Sequence, residues 1–424
     1  MPNLTGKNGY GKKSYPPDDI LTQKLTQYAI DGLSQEEKIL ALATDKDCLL
    51  QIRTTTLNKL ERRLKIPGVR RDRRAPEVET QDILDEVEKN PAQTNGPNFI
   101  KTKLQLQKKF IPRDTIRRTM AVHYPLGPQI RYPGRRTGRV HRTPLSALGP
   151  FHEVCSDGHE KLGAQALRMG RVDLPIYAWK DKWTGELLKM DVVPNSRTNA
   201  AIGHLYLDFV DELGGISLQN TTDKGSEIGW LLAMQTVLRE KFAPEIDLAV
   251  YPAHVSVKSV HNTIIEAFWR WLREKLGLDL RDHILRGKVE HIFDITSPLH
   301  LALFNWIFPP LIQAALDDFR IYWNHHRIRR QNNKNMPSGH VPSVVMRNPH
   351  LYGGINCFVK VPKADIDELR LMLMEEVGPR CDHLSWVDGD FAAAAAGVHT
   401  ALGAPKITLE NAWDVFTKMM SALS

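Results

Sequence analysis

The sequence predicts an α/β core, a mixed five-stranded sheet with flanking helices, preceded by small all-α modules and followed by a helical appendage. Three observations carry this. Beyond Gly149, strand-like and helix-like patterns alternate. Residues 18–124 show only the period of short amphipathic helices. Between the two lies a Pro/Gly/Arg-rich stretch with little apolar periodicity.

Residues 1–17, with their Gly, Lys and Pro, read as a flexible N-terminus. Residues 18–75 read as a first helical module. Leu21, Leu25, Tyr28 and Ala29 form the apolar stripe of its first helix, and Gly32 ends it. Ser34 and Glu37 stand at capping-box spacing before the second helix. In the third, "TTTLNKLERRLKI", Leu57, Leu60 and Leu64 point inward, and Lys59, Arg62 and Arg63 outward. Three short helices with a basic last one suit either a helix-turn-helix unit or a plain bundle. Residues 76–124 read as a second module, with Asp114 expected to cap its last helix. Residues 125–149 then form an extended basic linker able to track phosphates.

The net charge of +8 is unevenly spread. Residues 101–150 hold twelve Lys or Arg and one acid, Asp114, while the rest of the chain is 45 basic against 48 acidic. A surplus concentrated in this way points to a polyanionic partner. The four cysteines form no CxxC pair, which speaks against a disulfide framework or a structural zinc and for a reducing compartment. No apolar run reaches the roughly 18 residues of a membrane span.

The core spans residues 150–345. "FHEVCSD" reads as a strand ending on Asp157. "RVDLPIYAWKDKWTGELLKMDVVP" reads as a hairpin, "RTNAAIGHLYLDFVDELG" as a helix and "GISLQNTTD" as a strand ending near Asp223. The helix "SEIGWLLAMQTVLREKF" and the strand "DLAVYP" follow, and a further helix starts near His261. The order β-β-β-α-β-α-β-α is that of a ribonuclease-H-like fold. Residues 298–327 form a long apolar helical segment, interrupted by Pro309 and Pro310, that is expected to pack on the core. Residues 346–424 read as an acidic helical appendage with a low-complexity alanine run.

Three carboxylates fall at element ends. Asp157 and Asp223 close the first and fourth strands, and Glu266 lies on the helix after the fifth. Alone, each aspartate reads better as a turn or cap residue. Together, neighbouring parallel strands would set them side by side, and three carboxylates in one place need cations between them. Oxygen donors of this kind suit Mg²⁺ or Mn²⁺, and two such ions support in-line phosphodiester chemistry. Gly158 and Gly225 follow the aspartates, where a ligand's close approach would favour glycine. On the Glu266 helix, Phe268, Trp269 and Trp271 are expected to serve as anchors.

"TDKGSE" and "SVHNTIIEAFWRWLR" resemble the integrase catalytic core of retroelements and DDE transposases. There the second acid sits in a T/S-D-x-G-x-E string and the third in S-x-x-N-x-x-x-E, here Ser259, Asn262 and Glu266. With "GPFHEVCSDGHEKL" and "HLALFNWIFPPLIQAALDDFRIYWNHHRIRRQNNKNMPSG", roughly residues 130–340 resemble the transposon-derived integrase core domain proteins of fungi and animals. The chain departs from the retroviral pattern in four ways, one being the lack of a convincing basic β-barrel tail. The gap from Asp223 to Glu266 is 43 positions, Lys224 stands where Asn is common, and the His/His/Cys/Cys zinc module is missing.

The resemblance implies a DNA strand-transferase or nuclease. Asp157, Asp223 and Glu266 would hold two Mg²⁺ or Mn²⁺ ions. Asn262, Arg270, Arg273, Lys161 and Lys224 would hold DNA near them, with Arg135, Arg136 and Arg139 in the linker. It further implies DNA ends and target as partners, a homo-oligomer, no membrane association and a nuclear location. The rival reading is a domesticated, non-catalytic nucleic-acid-binding protein that keeps the fold. A third is a scaffold acting through the C-terminal helices.

Overall fold

A computed structural model describes residues 15–90, 93–125, 127–128, 146–257, 262–331 and 335–423. The chain divides into two compact units, Met1–Lys89 with Asn95–Arg131, and Asn90–Thr94 with Tyr132–Ser424. Most of the basic linker lies outside the described residues, as does most of the glycine- and lysine-bearing N-terminus.

The first unit is helical: α1 (Asp18–Ile30), α2 (Gln35–Thr44), α3 (Thr54–Arg63), α4 (Pro76–Glu88), α5 (Pro97–Leu106) and α6 (Arg113–His123). Gly32 takes the left-handed backbone that ends α1, and Ser34 and Glu37 form the capping box of α2. Leu21, Leu25, Leu57 and Leu60 are buried, while Lys59, Arg62 and Arg63 face solvent. Glu61 is fully buried between Lys38, at 2.7 Å, and Arg71, at 2.8 Å. Asp114 does not cap α6; it sits in the first turn, and Pro112 occupies the cap.

The second unit is built on the strands β1 (Glu153–His159), β2 (Ile176–Asp181), β3 (Leu187–Val192), β4 (Gln219–Asp223) and β5 (His254–Val257). Their order is β3-β2-β1-β4-β5, antiparallel from β1 to β3 and parallel from β1 through β4 to β5. This is the ribonuclease-H-like sheet. Helices α7 (Asn199–Leu213) and α8 (Gly229–Phe242) pack with Val154 and Trp179 into one core. Strand alternation turns Asp157 and His159 to the opposite face.

Two strands differ from expectation. β1 continues two residues past Asp157, because the ladder with β2 runs on to His159 opposite Ile176. "DLAVYP" is not the fifth strand. The Asp247 carboxylate accepts the Ala249 N–H at 2.8 Å, and the Asp247 carbonyl accepts from Val250 and Tyr251, so the chain turns there. The strand is the following "HVSV". Arg239, fully buried, fixes this connection by donating to the carbonyls of Leu218 (3.0 Å), Ala243 (2.9 Å) and Ile246 (3.3 Å).

The chain continues through α9 (Thr263–Leu272), a π-helical turn (Arg273–Gly277), α10 (Leu278–Val289) and α11 (Pro298–His325). Pro309 and Pro310 do not interrupt α11, although each removes a helical donor. Past the prolines, side-chain hydrogen bonds tie the helix to the sheet. Gln313 donates to the Met190 carbonyl and accepts from Val192 N–H, Asn324 does the same at Leu187, and Arg320 donates to Leu188. The helix therefore covers the open edge of β3. Among the described residues it is also the helix long and apolar enough, by length and composition, to cross a bilayer.

Residues 346–424 fold onto the core. Val359–Lys360 pairs with Gly215–Ile216 in a second small sheet. Helix α12 (Lys363–Val377) is tied to α7 through Arg370 with Asp208 and Lys363 with Asp211. The alanine run forms helix α13 (Gly389–Ala401). On α14 (Ala412–Leu423), Trp413 and Phe416 are buried, with Trp413 packing against Phe308 of α11.

Arg239→Ala removes the guanidinium donor from the carbonyls of Leu218, Ala243, Ile246 and Tyr251. It is expected to cost about 3 kcal/mol, read as a lower denaturant midpoint at unchanged slope.

Candidate active site

The acids meet because of strand register. Cys155 stands opposite Thr221 in the parallel β1–β4 ladder, so two residues further on Asp157 comes level with Asp223. Alternation puts both on the same face, since Ser156, one residue before Asp157, and Asn220, three residues before Asp223, both point to the opposite face and hydrogen-bond there at 3.0 Å. Helix α9 packs across this end of β1. Ile265, Phe268, Trp269 and Leu272 are buried, leaving Glu266 exposed on the same helix. Trp271, expected to be an anchor, is 44 % exposed, because its position turns away from that stripe.

The electrostatics mark one site. Burial pushes the Asp157 carboxyl up to about 7, and the charges of Asp223 and Glu266 push the same way, against a hydrogen bond from Trp269. Asp223 is raised by burial and by the Glu266 charge. Three carboxylates thus repel one another across a partly buried space, a strain that a cation relieves.

His159 was not singled out in the sequence, and Trp269 was expected there only as an anchor. The Trp269 Nε1–H donates to Asp157 Oδ2 at 2.9 Å, one turn after Glu266 on α9. His159 stacks on that indole, with centroids 4.6 Å apart and planes 13° off parallel. Burial lowers the His159 imidazole to about 4, helped by the charges of Lys161 and Arg273, so both cations flank the site. The signal for His159 was its place two residues after Asp157 on one strand, hence on one face.

Asn262, expected to contact nucleic acid, is only 3 % exposed. At the N-cap of α9 it donates to the Ser156 carbonyl at 3.4 Å, pinning the helix start to β1 beside Asp157. Its role here is to position. Arg270 and Lys224 are exposed. Ser259, Arg135, Arg136 and Arg139 lie outside the described residues. The glycines do not mark ligand approach. A Cβ at Gly158 would meet only ordinary contacts at 3.7 Å, and Gly225 makes room for the Glu227 carboxylate, which would stand 2.0 Å from such a Cβ.

Among the described residues, no three His, Cys, Asp or Glu side chains converge into a metal cage. The donor set is nonetheless of the right chemistry for a hard divalent cation. It is all oxygen, with two of its members held above their ordinary range partly by their neighbours' charge.

The sheet order is that of a ribonuclease-H-like core. Residues 234–348 match the family model described as Integrase core domain, and the chain carries that domain. Asn262, Glu266, Arg270 and Arg273 fall inside the matched segment, while Asp157 and Asp223 precede it. No curated protein matches the chain significantly.

In chelator, the raised carboxyl of Asp157 opposes folding. The unfolded chain gives up this proton near pH 4 and the folded chain only near 7, so stability falls across that window and stays lowered above it. Asp157→Asn is therefore expected to stabilise the metal-free protein by on the order of 2 kcal/mol at pH 8, an advantage that vanishes toward pH 4 in paired thermal melts.

Proposed function

We propose that the chain is a DDE-type recombinase of the transposon-derived, fungal and animal type, which cleaves a phosphodiester and transfers a DNA strand. The observation that carries this is the β1–β4 register, which brings Asp157 level with Asp223 on the face that α9, bearing Glu266, packs against. Asp157, Asp223 and Glu266 would hold two Mg²⁺ or Mn²⁺ ions. Cations bound there would activate the attacking oxygen and stabilise the leaving one.

The chain's own groups do the rest. The Trp269 indole fixes the Asp157 carboxylate, and Asn262 fixes the start of α9 against β1. Lys161 and Arg273, beside His159, supply positive charge for the phosphates, with Lys224 and Arg270 exposed nearby in sequence. The basic linker with Arg135, Arg136 and Arg139 adds affinity through counterion release. The exposed Lys59, Arg62 and Arg63 of α3 suit a helix-turn-helix contact with DNA. A homo-oligomer, a nuclear location and action without a membrane complete the proposal.

A second reading, a non-catalytic nucleic-acid-binding protein, is favoured by one observation. The described carboxylates do not close into a ligand cage.

Two variants decide between them. Glu266 is exposed, so Glu266→Gln should leave the melting temperature intact. It should lower Mn²⁺-dependent nicking of a DNA duplex by about a thousandfold or more, a loss of roughly 4 kcal/mol of transition-state stabilisation. Undiminished nicking sinks the catalytic assignment. Trp269→Phe keeps the ring and removes the donor. It should weaken Mn²⁺ binding by calorimetry about tenfold or more, at a cost of about 1–2 kcal/mol in fold stability from the reduced ring volume.

A further inference from the structure

A cavity of about 560 Å³ lies between the segment after β1 and the C-terminal half of α10, away from the carboxylates in sequence. Arg168, Arg281, Lys288 and His291 line it, and no carboxylate does. Leu167, Leu285 and Val289 supply its apolar wall. Among the described residues neither arginine nor the lysine has an ion-pair partner, whereas Lys38, Arg71, Lys182 and Arg370 elsewhere each have one.

The two sides of the cavity are joined. Lys288 Nζ donates to the Arg168 carbonyl at 2.6 Å. Arg168 takes a left-handed backbone, φ 53°, at the end of the short helix Ala164–Leu167, and His291 does so at φ 56° just past α10. Such conformations are uncommon for residues other than glycine and recur where a side chain must be aimed.

The cavity also has a fixed relation to the acids. From Thr263 to Val289 the chain is helical throughout, α9 passing through one π turn into α10. Arg281 stands fifteen residues after Glu266 on this rod. At about 1.5 Å per residue that is about 22 Å of helix axis, which matches roughly six nucleotides of a strand rising about 3.4 Å each.

We propose that this cavity seats the sugar-phosphate backbone of the nucleic acid, several nucleotides from the bond presented to Asp157, Asp223 and Glu266. Its cations fix the register of the strand. This rests on the carboxylate site being where phosphodiester chemistry occurs.

The test is the salt dependence of binding by the full chain to a fluorescent duplex of roughly 30 bp in chelator. In Arg281→Gln/Lys288→Gln the log-log slope is expected to become shallower by about 2, with several-fold or greater loss of affinity near 100 mM salt. The control Lys360→Gln/Lys418→Gln makes the same charge change at exposed positions elsewhere and should leave the slope as it is. An unchanged slope in the first variant, or an equal change in both, overturns the proposal. Thermal melts establish that the first variant folds, and Arg281→Lys, which keeps the charge, should retain most of the slope. The readout is binding without metal, so loss of nicking in Glu266→Gln and loss of slope here succeed or fail separately.

Discussion

The parallel pairing of β1 with β4 is the constraint on which the site depends. A slip of one residue in that ladder would move Asp223 out of line with Asp157 and turn one of them to the other face. The register is therefore guarded from both sides. Toward β2, the antiparallel ladder runs the full length of β1 to His159. Toward β5, Asn220 to Asp223 are paired in parallel with His254 to Val257. Buried hydrogen bonds lock it further. Ser156 donates to Asn220 between the two strands, and the Thr221 hydroxyl donates to the Glu153 carboxylate at 3.0 Å. Polar side chains in so buried a place tolerate few alternative pairings, because any slip leaves several donors and acceptors unmatched.

The periphery protects this arrangement. A mixed sheet of five strands has two edges, and β3 is one of them. Helix α11 answers its backbone groups with side chains, Gln313 and Asn324 each giving and taking a hydrogen bond as a sixth strand would. That accounts for a helix carrying two internal prolines. Its continuity comes from the strand it seals and from Trp413 of α14 more than from its own ladder. The apolar composition of α11 is that of a helix able to cross a membrane, yet its polar residues fall where β3 needs them.

Much of the core was legible in the sequence, for physical reasons. Apolar periods of two and of 3.6 identify the hairpin, α7 and α8 directly, and the order of the elements then fixes the sheet topology. The fifth strand was missed because "DLAVYP" is the more apolar string. Its apolar residues yield to the turn formed around Asp247, while "HVSV" pairs with β4 despite its polar members. The three acids were legible as an ordered set. What tunes them was not, since it depends on which way an indole points after packing. Trp269 reads as one more buried aromatic until its N–H is seen to reach Asp157 from 112 positions away. The burial of Asn262 was hidden for the same reason, since only packing at the helix start turns its amide to the Ser156 carbonyl.

The rod from Thr263 to Val289 then links the parts. One turn of it carries Glu266 and the Trp269 donor, so any motion of the helix that moves the third acid also changes the hydrogen bond on the first. The π turn that follows, Arg273 to Gly277, keeps the chain helical while rotating the face presented by α10. Gly287 accepts this orientation because Trp413 lies against it, at 2.3 Å from where a Cβ would stand. The C-terminal helices thus pack, through Trp413, on Gly287 and the His283 carbonyl, near the far end of the helical stretch whose first turns carry Glu266.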